Sequence, residues 1–560
     1  MRRRRTARWI AIAAFLLFAA TGGGRIVGSD EVSMLELGRS MLHGRIDIPP
    51  GATLEGRDGR AYTKNAAGQA VLALPLVAAG ETLTRAAHLT PARQVLALRF
   101  VVSFFNALLT ALLLAAFYLA ARRYGIGAGE ALAATAMLGF TTPVWVYAKS
   151  FMAEPMEALG LLLALAGACF ADESDWRWRG AIGVLLAVSA KLTMLPFTLI
   201  ALMPLAIRGW RERAPFVIAL ATAIAGHAVY DLARFGTLFE TGYGRQATPS
   251  AYTTPLWVGL YGLLVSSGKG VLWFAPALLL APVGWRRAHR THHEPKPMPA
   301  VARRVADRVR GWLPEWLRPT LAQEVPEKKW DDLRRAAPAI ALIWAGALLL
   351  YGTFEHWAGD GSFGPRYLIP FLPPAFLLVA AALPHPSQAR RRTIQVLTLA
   401  GLLVQIGGVA IHFGAQMREA GDYPYTRALD DPRFMSDSHF NPAFSPILGH
   451  WRMLVRNTGE HLRGTMPRLV SVGATPADTA LAATPAPSVG VAPTPGAPVE
   501  QRVGVSAEDQ TRLLHALDFW WLYAAYAGMP AVALGAAAAL LAAFGVAAAL
   551  RARSASRRED

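Results

Sequence analysis

The chain has 560 residues, of which 53% are hydrophobic and 17% charged, and a formal net charge of +18. Soluble proteins carry about a quarter charged residues. The shortfall, with repeated apolar runs near the ~20-residue spanning length, excludes a water-soluble class and indicates an all-α, multi-pass membrane bundle. Nucleic acid is not expected as a partner, because the basic residues fall in clusters between apolar runs.

In chain order, Arg2 to Arg5 precede a first apolar run over about 9–24. We read it as an uncleaved anchor that starts on the cytoplasmic side. Further runs fall near 97–121, 127–147, 154–171, 180–193, 194–207, 214–233, 270–284, 336–353, 368–384, 394–414 and 527–550, giving about twelve spans. The stretch 180–207 is short for two spans and allows two short helices or a re-entrant hairpin. Arg122-Arg123, Arg177/Arg179, Arg208/Arg211/Arg213, Arg286-Arg287, Arg390 to Arg392 and Arg551/Arg553 all follow even-numbered spans. That parity places both termini in the cytoplasm. The basic loop 286–334 reads as a segment at the headgroup surface, attracted to anionic membrane lipids. Residues 474–500, rich in Ala, Pro and Thr, read as a linker. The single cysteine, Cys169, lies in an apolar run and leaves no intrachain disulfide or cysteine metal cluster available.

The opposite, outer face receives about 25–95, 235–268, 354–367 and 415–516. Polar residues gather there. Asp30-Glu31 stand just past the first span, where an acid beside lipid is a functional-site candidate. The apolar pattern that follows suits a helix lying in the interface. Asp58-Gly59 signals a turn. Tyr62-Thr63-Lys64 comes next, before a second interfacial helix from Gln69 to about Ala79. Lys64 can bind a phosphate as a point charge. Glu154-Pro155 marks a helix start, where the dipole favours an acid. Phe239 to Gly244 includes Tyr243, and Ser266 to Gly270 includes Lys269. The glycine-rich segment 356–367 ends in Arg366-Tyr367. A cation at a helix start gains nothing from the dipole, so Arg366 needs another partner, and a phosphate is the simplest. His439 and His450 read as surface or cap residues.

These residues, in this order and on one face, resemble the GT-C superfamily of membrane glycosyltransferases. The likeness is strongest to the branch that holds protein O-mannosyltransferases and lipid A aminoarabinose transferases, through uncharacterised bacterial members, and it spans roughly the first 450 residues. Asp30-Glu31 match that family's acidic motif, Tyr62-Thr63-Lys64 its Tyr-x-Lys segment and Glu154-Pro155 its second acid. Lys191 corresponds to a lysine in a later helix. Asn65-Ala66-Ala67 depart from the prolines that often follow the family's lysine.

The resemblance implies transfer of a hexose or pentose from a polyprenyl-phosphate donor to a glycan, lipid or protein acceptor. The reaction would take place on the periplasmic or exterior face of a bacterial inner membrane. Asp30 would be general base, with Glu31 in reserve; Glu154 would orient the acceptor or the catalytic pair. Lys64 and Arg366 would hold the donor phosphate, supported by Tyr62, Lys191, Tyr243, Lys269 and Tyr367. The residues point to no particular cofactor. Two carboxylates can hold a hard cation, so the residues leave a divalent metal open. The expected division is a catalytic core over 1–414, an outer-face segment over 415–472, a linker over 473–505, and a terminal span with a basic tail over 506–560. The competing reading is a transporter or lipid flippase, for which Lys191 and Asp231 would be the intramembrane charges.

Overall fold

The computed structural model describes residues 2–50, 53–89, 91–238, 240–289, 330–384, 386–422, 431, 433–469 and 507–559. Most of the basic loop, the Ala/Pro/Thr-rich linker and the boundaries at 473 and 505 lie outside the described residues.

The described chain is helical apart from one two-stranded hairpin. Five helices are long and apolar enough to cross a membrane: Arg93–Arg123, Trp210–Phe235, Asp331–Thr353, Gln388–Ala410 and Ala531–Ser556. The other apolar runs also lie in helical segments, but many are broken. Arg2–Ala20 carries its arginines within its own first turns. Ala128–Phe140 stops before Pro143 and resumes as Val144–Ala148. The run 270–284 is divided at Pro276 into Val271–Phe274, a 3-10 turn and Ala281–Ala288. Proline removes a backbone donor and clashes with the preceding turn, which accounts for these interruptions. An apolar helix, Leu256–Val265, falls within the expected outer region 235–268 and packs on Asp331–Thr353.

The ambiguous stretch 180–207 proves asymmetric. Helix Ser174–Ala190 starts six residues earlier than the apolar run and ends at Lys191, whose backbone is extended. The return is short, Leu195–Ala201 followed by a 3-10 turn. Helix Ser174–Ala190 packs closely along Glu154–Cys169. A Cβ on Gly160 would sit 2.5 Å from Ala187 N, and one on Gly183 the same distance from Ala164 N. Small residues on both surfaces let the two backbones approach, a common device between membrane helices.

The bundle has two chemically distinct ends. At one, Arg4 pairs with Asp175, Arg123 with Glu173 and Asp332, Arg208 with Asp172, and Arg122 with Glu559. Arg2 donates to Arg558 O, so the two terminal helices meet there. The other end carries the loops that follow Ala20, Ala148 and Thr353. It includes the two interfacial helices, Ser29–Leu42 and Gly68–Ala86, which pack on each other. Between them Asp58-Gly59 turns the hairpin Leu54–Glu55/Ala61–Tyr62, the one departure from an all-α chain among the described residues.

Candidate functional site

At the second end one cavity of about 240 Å³ is lined by residues from 23–31, 146–152, 359–366 and 408–418 together with Lys64 and Asp518, and four segments carry its charged centre. Asp30 lies in the first turn of Ser29–Leu42. Glu31, beside it, turns back on its own helix. Its Oε2 accepts from Gly28 N at 2.7 Å, as in a capping box, and its Oε1 accepts from Phe151 N. Burial raises the Glu31 carboxyl, and the amides of Phe151, Gly28 and Val27 oppose that rise. Glu31 thus ties the Asp30 helix to the segment that leads into Glu154.

Two buried amides fix the same segment. Gln69 Nε2 donates to Phe151 O and Asn106 Nδ2 to Met152 O, both at 2.7 Å. Helix Glu154–Cys169 then starts with Pro155 in its first turn, and Glu154 is 2% exposed. The third segment is 63–65. Asn65 Nδ2 donates to Ser33 Oγ at 2.8 Å and Asn65 N to Thr63 Oγ1 at 3.1 Å. Arg234, paired with Asp231, donates to Thr63 O. The asparagine that departs from the proline pattern is therefore the strut between the Lys64 segment and the Asp30 helix.

The fourth segment is the loop 359–366. Gly359, Asp360 and Gly364 all have positive φ, and for Asp360 that conformation is unfavourable. Lys269 holds the loop in shape. Fully buried, it donates through Nζ to Ser362 O at 2.6 Å and Asp360 O at 3.0 Å. Burial pushes this ammonium down to about 7, against the opposing charge of Asp360. Tyr147 Oη donates to Phe363 O at 3.2 Å. The loop delivers Arg366 between the two acids.

The charged centre has a simple geometry. Arg366 Nε donates to Glu154 Oε1, and its Nη2 stands 3.2 Å from Asp30 Oδ2. Lys64 Nζ is 3.6 Å from Asp30 Oδ1 and 5.6 Å from the Tyr243 ring centroid. Burial alone would raise the Asp30 carboxyl. The charges of Lys64, Arg366 and Lys191 outweigh it and hold Asp30 well below the usual carboxylate range. Among the described residues no three His, Cys, Asp or Glu side chains gather to hold a metal ion.

Asp30, Glu31, Lys64 and Arg366 line the cavity, and Glu154 meets it through Arg366. The expected supporting residues stand around it. Lys191 lies 5.1 Å from the Tyr367 ring, which stacks on Tyr351. Tyr62 is turned away, its hydroxyl donating to Asp58 at 2.9 Å. Asp231, paired with Arg234, is also outside the lining. His439 and His450 are buried against aromatic rings, not at the surface as expected.

One lining residue, Asp518, comes from a stretch that sequence reasoning did not assign to the site. Beyond the linker, the chain returns to pass over the cavity. Asp518 N donates to Ala410 O and Trp520 N to Gly22 O. The Asp518 carboxylate, 2% exposed, lies 2.7 Å from Lys149 Nζ and 3.0 Å from Arg25 Nη2. Nothing in the local sequence distinguishes Asp518 from a surface acid. Glu157, one turn beyond Glu154, also escaped notice; it is 3% exposed and its Oε1 has no hydrogen-bond partner.

Comparison with known proteins returns one structural likeness. The chain is similar to ArnT from Cupriavidus metallidurans, solved in the apo state, with 13% identity and a TM-score of 0.45 over 94% of this chain and 76% of that one. No protein-family model matches the sequence. No curated protein matches it either. Function is therefore read from the site's own residues.

Proposed function

We propose that this chain is a GT-C-type glycosyltransferase that moves a sugar from a polyprenyl-phosphate donor to an acceptor hydroxyl on the extracytoplasmic face of a bacterial inner membrane. The observation that carries this reading is the meeting of Asp30, Lys64 and Arg366 in one cavity at the end of the bundle away from the arginine clusters, with Glu154 ion-paired to Arg366 behind it. Lys64 and Arg366 hold the donor phosphate and stabilise the charge that grows on it as the sugar departs. Asp30 accepts the acceptor's proton. Glu154 holds Arg366 in position. Apolar helices around the cavity accommodate the lipid chain, and the acceptor is a glycan, lipid or protein presented at the same face.

A transporter reading would need its intramembrane charges along a route. Asp231 pairs with Arg234 near the end of Trp210–Phe235 and is not in the cavity lining. The deciding experiment is transfer by the purified full chain, in nanodiscs, from a lipid-linked sugar donor. Transfer by the wild type, lost in Asp30→Ala and Arg366→Ala, supports the enzyme. Sugar transfer that both variants retain would refute the assigned site.

A further inference from the structure

Asp30 is poorly suited to act as a base while it remains in its ion pairs. Its two oxygens are taken by Lys64 at 3.6 Å and Arg366 at 3.2 Å. Lys191, at the turn after Ser174–Ala190, adds a third positive charge. The other titratable groups facing it are Glu31 on its own helix, Glu154 behind Arg366, and the phenols of Tyr243 and Tyr367. A carboxylate held this firmly has little affinity for a proton, and general-base strength follows that affinity.

The two cations that hold Asp30 are also the two assigned to the donor phosphate. They cannot serve both anions equally. Their attachments differ in a telling way. Arg366 is anchored through Nε to Glu154, so its Nη2 edge can change partner without the side chain moving away. Lys64 is 36% exposed on its side chain, and its four-carbon stem lets the ammonium swing.

We infer that the donor phosphate itself converts Asp30 into the base: its oxygens take Lys64 and the Nη2 edge of Arg366 from the carboxylate. The inference rests on the phosphate-donor reading given above. The transfer step then balances. The acceptor O–H proton passes to Asp30, the acceptor oxygen bonds to the anomeric carbon, and the bond from that carbon to the phosphate oxygen breaks. The electron pair leaves on the phosphate, where Lys64 and Arg366 meet it. An acceptor that arrives before the donor meets a carboxylate locked in ion pairs, so the order of binding is built into the charge arrangement.

Two measurements on the full chain in nanodiscs test this. The first is binding of a long-chain polyprenyl phosphate that carries no sugar, with the neutral polyprenol as control. Asp30→Asn removes the competing anion, so it should abolish transfer yet tighten phosphate binding about tenfold, leaving polyprenol binding unchanged. Equal or weaker phosphate binding by Asp30→Asn overturns the exchange and leaves the donor reading standing. No phosphate binding by either protein sinks the donor reading itself. The second measurement uses the wild type alone and needs no variant to fold. The pH profile of kcat, which reports the substrate complex, should show an acidic limb near the ordinary carboxylate value of about 4. That limb should be missing from kcat/KM for the donor, which reports the free protein. Coincident limbs in the two profiles, over pH values at which the protein is shown to stay folded, overturn the inference.

Discussion

Arg366 joins two acids that stand 124 residues apart in the chain, and its shape is what allows it. The guanidinium offers Nε to Glu154 and Nη2 to Asp30 at the same time. An ammonium is a single point and cannot hold that fork. Arg366→Lys should therefore lower transfer by at least about tenfold although the charge is kept, because an ammonium cannot reach Glu154 and Asp30 together and Glu154, whose Oε2 is already unpartnered, loses the donor to Oε1 as well. Turnover assays on the two proteins, matched for folded fraction by size-exclusion profile, check it. Asn65 makes a subtler case. Asn65→Ala deletes the bond to Ser33 and should cost about 1 kcal/mol of stability, with a larger proportional loss of transfer because Lys64 loses its strut. A melting-temperature shift without loss of turnover would contradict that. Asp30, Lys64, Glu154 and Arg366 were legible in the sequence because an acid or a base beside an apolar run has few reasons to be there. Asn65, Gln69 and Asn106 were not, since a neutral amide is unremarkable until its backbone partner is known. Tyr62 had the right spacing and faces Asp58 instead.

Most helical segments were visible as apolar runs; their breaks and close approaches were not. The pair Glu154–Cys169 and Ser174–Ala190 is pressed together at Gly160 and Gly183. Helix Glu154–Cys169 also presents Glu154, so its seating sets the depth of the site. Gly160→Val forces the helices apart and should cost about 1–3 kcal/mol by overpacking, with turnover falling alongside thermal stability. The returning segment 507–530 is the larger surprise. Composition marks it as the approach to a final span, yet it supplies the buried, cavity-lining Asp518 between Arg25 and Lys149. Asp518→Asn removes the buried carboxylate that Lys149 and Arg25 share and should destabilise the fold by about 3–5 kcal/mol. The pH dependence follows from the same pairs. Burial would raise the Asp518 carboxyl, but Lys149 and Arg25 hold it below the usual carboxylate range. A depressed folded value gives stability that is complete above the ordinary value of about 3.9 and is lost as pH falls through the folded one. Wild type should thus lose stability below about pH 4, and Asp518→Asn, already weaker, should lose less over that interval.

At the scale of the whole molecule, the arginine clusters did more than suggest an orientation. They meet one another: Arg4, Arg123 and Arg208 all reach acids within 172–175, and Arg2 reaches the tail of the last helix. The charged cavity lies at the end the first helix reaches after leaving that cluster. Excess Lys and Arg mark the cytoplasmic side, and under the proposed function the cavity faces the other compartment. The single cysteine makes this testable with little interference, because Cys169 is buried. In a Cys169→Ser background, Ser250→Cys places an exposed thiol on the loops around the cavity end. Ser554→Cys places one on the exposed tail at the arginine end. A maleimide that cannot cross membranes, added to cells whose outer barrier has been opened, should label Ser250→Cys at once. It should label Ser554→Cys only after the inner membrane is permeabilised. The reverse pattern would turn the cavity towards the cytoplasm. A lipid-linked donor used outside the cell could not then reach Lys64 and Arg366, whatever their geometry.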